Sequence, residues 1–206
     1  MPTITEIETG IQRNFLVRDY RTGLPRSVRR GNRENLAVLF NELGYRIGAE
    51  IGVARGVYSE VLHKAIPGLH LICVDPWETV ATRGRDYRQL LAMFRDAEQR
   101  LVNYDCEFLK MTSEQAVSSV EDGSLDFIFI DGSHTFDATM FDLLFWTKKV
   151  KPGGIIAGHD LCLAWVGVPI AVEAYIRSRN VSPWYCTDEK VPTYFWAQKP
   201  EYPQQH

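Results

Sequence analysis

The sequence predicts an α/β fold: a doubly wound, mostly parallel sheet of seven strands that ends in an antiparallel C-terminal hairpin. Three observations carry that expectation. Short runs that are apolar on both faces, such as LDFIFID over 125–131, alternate with amphipathic runs of helical length. Glycines and acids stand where the apolar runs stop, at the turns from strand to helix. The stretch PWYCTDEKVPTYFWAQKP over 183–200 is different: two aromatic-rich runs flank Asp188, Glu189 and Lys190, a hairpin signal.

Taken in order, residues 1–33 are polar and Arg-rich, are broken by Gly23, Pro25 and Gly31, and form an irregular or partly helical lead-in to one domain over 34–206. NRENLAVLFNELG (32–44) sets Leu36, Leu39, Phe40 and Leu43 at helical spacing and stops at a glycine. RIGAEIGV (46–53) is a strand, GVYSEVLHKAI (56–66) a helix and LHLICVD (69–75) a second strand. Between Glu78 and Asn103 a helix carries Leu90, Leu91, Phe94 and Ala97 on one face. CEFLK (106–110) is the third strand, SEQAVSSV (113–120) a short helix and LDFIFID the fourth strand. In the helix of TFDATMFDLLFWTKKV (135–150), Phe136, Met140, Leu143, Leu144 and Trp146 face the core, while Asp137 and Asp142 serve the helix dipole and the solvated face. GGIIAGHD (153–160) is the fifth strand, and a last helix follows from about Val166 to Arg179. Right-handed crossovers between such parallel strands put helices on both sides of the sheet.

At 206 residues with a net charge of −3, 45% hydrophobic and 24% charged, the chain has the proportions of one globular domain and no overall bias toward nucleic acid or membrane. One basic patch stands out: Arg13, Arg18, Arg21, Arg26, Arg29, Arg30 and Arg33. It reads as a solvated arm, or as a contact for an anionic substrate group or a partner. Cys73, Cys106, Cys162 and Cys186 have neither CxxC nor metal-ligand spacing and read as reduced core residues. No apolar run approaches the ~18 residues of a membrane span, and the N-terminus lacks a signal-peptide pattern, so a cytoplasmic location is expected.

In a doubly wound sheet, ligands bind beyond the carboxyl ends of the strands, where strand order reverses. AEIGVARGVYS offers Glu50, Gly52 and Gly56 at such an end. The spacing is not the GxGxxG of a pyrophosphate site, which suits a ligand without phosphates, although a bare strand-to-helix turn has the same glycines. Asp75 in ICVDPW is placed for a carboxylate to accept ribose hydroxyls, or simply ends a strand. His63 and His70 flank a turn and carry no evident chemistry.

The run E-x-G-x-x-x-G, the acid of VDPW (74–77), SEQA (113–116) and FIDGSHTFDATMFDLLFWTKKVKPGGIIAGHD (129–160) together resemble a class I S-adenosylmethionine-dependent methyltransferase with its Rossmann-like fold. More narrowly, they resemble the sugar and natural-product O-methyltransferases related to the macrocin and demethyldecarbamoylnovobiocin enzymes, distant relatives of catechol O-methyltransferase. The resemblance spans about residues 46–175. It implies that Glu50, Gly52 and Gly56 line the methionine part of the donor, that Asp75 holds the ribose, and that Ser113 and Glu114 border the adenine. It also puts Trp77 over the cofactor, though a tryptophan at a strand end is as often core or rim.

In that fold the fourth and fifth strands are parallel neighbours ~4.8 Å apart, so Asp131 emerges beside His159 and Asp160. Two carboxylates so close repel unless a cation lies between them. A divalent metal resolves the conflict, Mg²⁺ by its oxygen ligands or Mn²⁺ if a histidine joins the set. The catechol enzymes have Asp, Asp and Asn at the positions of Asp131, His159 and Asp160, which leaves His159 as a ligand, a group behind the ligands or an orienter. His134 falls where those enzymes have a catalytic lysine; a histidine titrating near ~6.5 is a usable general base. The implied reaction is methylation of a hydroxyl on a polar small molecule, a carbohydrate by the family likeness, with His134 or Asp131 taking the proton. A plain helix entry at Ser133 and Thr135 is the other reading of the same residues. A metal-free methyltransferase, or a binding module working through the Arg-rich segment, are the rival functions. Related small methyltransferases associate, so a homo-oligomer is expected by resemblance. The connection WETVATRGRDYRQ (77–89) is a solvated loop or a lid whose Arg83, Arg85 and Arg88 face an anionic acceptor.

Overall fold

The computed structural model describes residues 1–18, 25–29, 31–77 and 87–199. Arg21, Gly23 and Arg30 of the N-terminal segment, and Arg83 and Arg85 of the 77–89 connection, lie outside the described residues.

Helix α1 (Ile4–Asn14) starts at a reciprocal cap: the Thr3 hydroxyl accepts from the Glu6 amide and the Glu6 carboxylate accepts from the Thr3 amide. Its Ile7 and Ile11 are buried in the same core as Leu36, Leu39 and Phe40 of α2 (Arg33–Glu42). Strands β1 (Leu16–Arg18) and β2 (Arg26–Arg29) lie between the two helices in sequence. The alternating part then follows as β3 (Ile47–Ile51), α3 (Val57–Ala65), β4 (His70–Val74), α4 (Tyr87–Leu101), β5 (Cys106–Leu109), α5 (Ser113–Ala116), β6 (Leu125–Ile130), α6 (Phe136–Phe145), β7 (Val150–Gly158) and α7 (Gly167–Ser178). Strands β8 (Tyr185–Thr187) and β9 (Tyr194–Ala197) close the described chain.

The nine strands among the described residues form one sheet in the order β1-β2-β8-β9-β7-β6-β3-β4-β5. Neighbours from β7 to β5 are parallel, and β9 runs antiparallel to both β7 and β8, as the hairpin signal predicts. The count is nine rather than seven because the lead-in supplies two strands. LVR and RSVR are too short and too basic to show an alternating pattern; tertiary pairing makes them strands, with β2 parallel to β8 and Val28 fully buried. Three arginines of this segment contact the domain: Arg13 lies 3.6 Å from Glu42, Arg29 3.7 Å from Asp188, and Arg26 donates to the Tyr185 hydroxyl.

The core has two faces. Helices α1 to α4 cover one and α5 to α7 the other. All six residues of β6 are buried, with Phe127 and Phe129 on the first side and Ile128 and Ile130 on the second. Phe40 stacks on Phe127 at 4.3 Å and Tyr58 lies against Phe129 at 4.2 Å, which fixes α2 and α3 over the centre of the sheet. Burying a ring of that size contributes about 2–3 kcal/mol.

Two expectations for α6 are corrected. Phe136 is 41% exposed, because it opens the helix before the helix reaches the sheet. Asp142 is only 2% exposed: Thr139, Asp142, Leu143 and Trp146 share the inward face at helical spacing. Of the four cysteines, all free thiols, only Cys73 is buried and the other three are partly exposed.

Candidate active site

Strand order reverses between β3 and β6, and there the carboxyl edge opens into a cleft of about 900 Å³. Its floor is the turn from β3 into α3. Gly52 has φ of +93° and a Cβ there would stand 2.2 Å from the Asp131 carbonyl oxygen, so only glycine lets the end of β6 pass this close. Gly56, also left-handed at φ +70°, is the N-cap of α3.

Asp75, just after β4, organises this turn. Its Oδ2 accepts from the Val53 and Ala54 amides at 3.1 and 2.9 Å, and its Oδ1 accepts from the Trp77 amide at 2.9 Å. Trp77 is 1% exposed; its indole N–H donates to the Ala54 carbonyl at 2.7 Å and its ring packs on Phe94 at 4.9 Å. It is a core residue that ties two cleft-lining turns together. Glu50 is buried beside them and accepts a hydrogen bond from the Ser59 hydroxyl. Burial pushes its carboxyl up to about 8, against the pull of that hydrogen bond.

Ser113 and Glu114 form the first turn of α5, with the Thr112 side chain as cap, and line the cleft's far side. Ser113 faces Asp142 across the cleft lining, and burial pushes the Asp142 carboxyl up to about 7. Asp142 is therefore part of the site, and its helical phase with Thr139 and Trp146 is the sequence signal that would have placed it there.

The strand-end acids and histidines converge. Asp131 follows β6, held by its amide to the Ile51 carbonyl at 2.7 Å; His159 follows β7, held to the Ile130 carbonyl at 3.0 Å. His134 Nε2 contacts the Asp160 carboxylate and lies 4.0 Å from Asp131 Oδ1. His159 Nδ1 lies 3.4 Å from Asp160 Oδ1 and 3.9 Å from Asp131 Oδ1. Asp160 holds a left-handed φ of +60°, a conformation that aspartate tolerates better than most side chains. Trp165 stacks on the His134 ring at 4.6 Å and 14° and fixes its plane.

Charges in this cluster oppose one another. Burial pushes Asp131 up to about 6; His159, Arg33 and His134 pull it down and Asp160 adds to the rise. Burial also opposes ionisation of Asp160, but hydrogen bonds from His134 and His159 overcome it and hold that carboxyl well below its ordinary range. His159 is in turn raised: Asp160 and Asp131 outweigh its burial.

Arg33, taken from the sequence only as one of a basic patch, reaches this cluster from the start of α2. Its Nη1 stands 3.6 Å from Asp131 Oδ2 and its guanidinium lies over the Tyr58 ring at 5.1 Å.

Ligand atoms of Asp131, His134 and Asp160 lie within 4.8 Å of one another. Two carboxylates and an imidazole, one carboxyl raised by burial, are a donor set that fits a divalent cation of the Mn²⁺ or Mg²⁺ type. The trio holds His134, whereas His159, the histidine expected among the ligands, flanks it. Glu50, Gly52, Asp75, Trp77, Ser113, Glu114, Asp131, His134, His159 and Asp160 all line the one cleft, whereas Gly56 stands behind it at the head of α3.

Comparison with known proteins bears on this geometry. A family model described as a methyltransferase domain matches residues 49–161, more than half of the chain. An uncharacterized protein of Sinorhizobium fredii (strain NBRC 101917 / NGR234) is 21% identical over 114 residues, which cover 55% of this chain and only 12% of that protein. Among solved structures, the O-methyltransferase TomG from Streptomyces achromogenes, in complex with SAM, is similar with a TM-score of 0.61 and 15% identity, over 80% of this chain and 78% of that one. The O-methyltransferase from Bacillus cereus in complex with SAH gives a TM-score of 0.61 and 14% identity, over 96% of this chain and 93% of that one. At these identities the structures establish a shared fold.

Proposed function

The chain belongs to the methyltransferase-domain family matched over residues 49–161, and from that premise we propose that it moves the methyl group of S-adenosylmethionine to a hydroxyl of a sugar, glycoside or other polar small molecule, assisted by a divalent metal. The observation that carries the reading is the convergence of Asp131, His134 and Asp160 within 4.8 Å, in the same cleft as Glu50 and Asp75. Both solved relatives named above hold the methyl donor or its product, which supports the choice of donor.

In this reading Asp75 keeps the β3–α3 turn open and faces the ribose, and Glu50 faces the donor's ammonium. A bound cation would supply Lewis acidity that lowers the pKa of the acceptor hydroxyl; Asp131, Asp160 and one histidine would hold it. His134 Nε2 and Asp131 Oδ1, 4.0 Å apart, converge on one point, so a hydroxyl between them can pass its proton to either. Trp165 fixes the His134 ring plane, and Nε2 takes the proton when it is turned from the Asp160 carboxylate that it contacts here. The acceptor oxygen forms the new bond to the methyl carbon, the sulfur–carbon bond breaks, and S-adenosylhomocysteine leaves. Alignment of oxygen, carbon and sulfur is the main demand on the protein.

A second reading has its own observation. Arg33 and His159 already offset the Asp131 and Asp160 charges, an arrangement that can serve a methyltransferase without metal. The rival binding-module reading is weakened by the ion pairs of Arg13 and Arg29, which dock that segment on the domain.

The test is methyl transfer from radiolabelled S-adenosylmethionine to a panel of sugars, glycosides and phenols, after chelation and again with Mg²⁺ or Mn²⁺. The proposal expects O-methylated product that chelation abolishes and metal restores. Full turnover in chelator would replace it with the metal-free reading, and transfer only to nitrogen would refute the hydroxyl acceptor.

A further inference from the structure

Beneath the cleft, on the α1–α4 side of the sheet, a line of polar side chains crosses an otherwise apolar core. His63 Nε2 lies 3.0 Å from the Cys106 sulfur. Cys106 opens β5 opposite Leu71 of β4, and Cys73, two residues further on the same face of β4, lies in the core against which Cys106 packs. Cys73 is fully buried and pairs in register with Glu50 of β3, whose carboxylate accepts from the Ser59 hydroxyl. The line therefore runs from a partly exposed sulfur and an imidazole stacked on Tyr104 to a carboxyl in the cleft.

We propose that Cys106 is an activated thiol, a site of oxidation by peroxides, and that its oxidation weakens methyl-donor binding through Cys73, Ser59 and Glu50. The proposal rests on the reading that the donor occupies the Glu50 side of the cleft. Chemically, the Cys106 thiolate attacks one peroxide oxygen: the S–O bond forms, the O–O bond breaks, sulfur loses two electrons, and the departing hydroxide takes a proton to leave as water. A disulfide to Cys73 is disfavoured. With ~4.8 Å between strands and ~3.3 Å of rise per residue, the diagonal positions of this parallel pair stand roughly 8 Å apart, beyond the ~6.8 Å that a disulfide spans without moving backbone. The added oxygen must instead fit where Cys73 and His63 now pack, which disturbs the Ser59 hydroxyl and with it Glu50.

Groups facing the sulfur support thiolate at modest pH. The neighbouring Cys73 thiol lowers Cys106 to about 6, burial opposes this, and His63 lowers it further, while Asp105 acts the other way. Against an ordinary thiol at ~8.5, the thiolate fraction at pH 6 rises roughly 160-fold while lower nucleophilicity takes back about 10- to 18-fold, leaving a net gain of about tenfold. At pH 7 the two effects nearly cancel, so pH 6 is where the site shows.

The experiment labels the full chain with iodoacetamide across pH 5–9, reads each cysteine by peptide mass spectrometry, and measures S-adenosylhomocysteine binding by calorimetry before and after hydrogen peroxide. The expected result is Cys106 alkylation with a midpoint near 6, about tenfold faster at pH 6 than free cysteine. His63→Gln and Cys73→Ala each move that midpoint upward. Peroxide is expected to weaken S-adenosylhomocysteine binding by roughly tenfold, the worth of one hydrogen bond to a charged group, and to leave Cys106→Ser unaffected. A midpoint of 8 or above for Cys106 in the native chain would overturn the activated thiol, and unchanged affinity after complete Cys106 oxidation would overturn the coupling. Absence of binding before any peroxide would instead count against the donor reading, while the labelling result would stand by itself.

Discussion

Glu50 gives the sharpest pH dependence. It is 1% exposed, and burial raises its carboxyl to about 8 although the Ser59 hydroxyl pulls the other way. Near neutral pH it is therefore mostly protonated. The α-ammonium of S-adenosylhomocysteine selects the ionised form, so binding must release a proton, at a cost of about 1.4 kcal/mol for each pH unit below the carboxyl's own value. Affinity then tightens by close to tenfold per unit as pH rises from 6 toward 8, and levels off above. Calorimetry in two buffers of different ionisation enthalpy reads both the Kd and the proton released; Glu50→Gln removes both. The same shift opposes folding. With the folded value above the unfolded one of ~4.3, stability falls as pH climbs through that window, by a ceiling of about 5 kcal/mol, and Glu50→Gln flattens the slope. A Kd unchanged between pH 6 and 8, with no proton released, would refute the reasoning.

Three further outcomes follow from the same geometry. His134→Gln lowers kcat by about 10²- to 10⁴-fold in a methyl-transfer assay while calorimetry finds donor affinity unchanged, since the ring stands at the acid cluster and not at the β3–α3 turn. Gly52→Ala combines a left-handed φ of +93° with a Cβ 2.2 Å from the Asp131 carbonyl oxygen; the backbone alone costs about 1–2 kcal/mol, so a thermal melt shows a drop of at least about 2–4 °C or no folded protein. Mn²⁺ raises the melting temperature of the wild-type chain and leaves Asp160→Asn unmoved, as linkage requires if the cation binds only the folded cluster.

Much of this architecture is readable from local pattern. The apolar runs of β3, β4, β6 and β7 announce buried parallel strands, and Asp131, His159 and Asp160 stand where those strands must end. Strands β1 and β2 are not readable, because three or four residues carry no period and only pairing with each other and with the backbone of β8 makes them strands. Arg33 and Trp165 join the site for the same kind of reason. Arg33 arrives with α2 as it packs over the sheet, stacked on Tyr58, and Trp165 arrives from the turn before α7, stacked on His134. Nothing near either residue in sequence points to the acid cluster. Asp142 differs, since its phase with Thr139, Leu143 and Trp146 is visible in the sequence, while the usual exposure of aspartate points the other way.

The central claim is that the cleft over Gly52 and Asp75 binds the methyl donor. Calorimetric titration of S-adenosylhomocysteine at pH 8 tests it most directly, with the wild-type chain and with Asp75→Asn, whose carboxylate accepts the amides that shape the turn. Micromolar binding to the wild type that weakens by about tenfold or more in the variant is the predicted result. No binding to the wild type, with or without Mn²⁺, would contradict it.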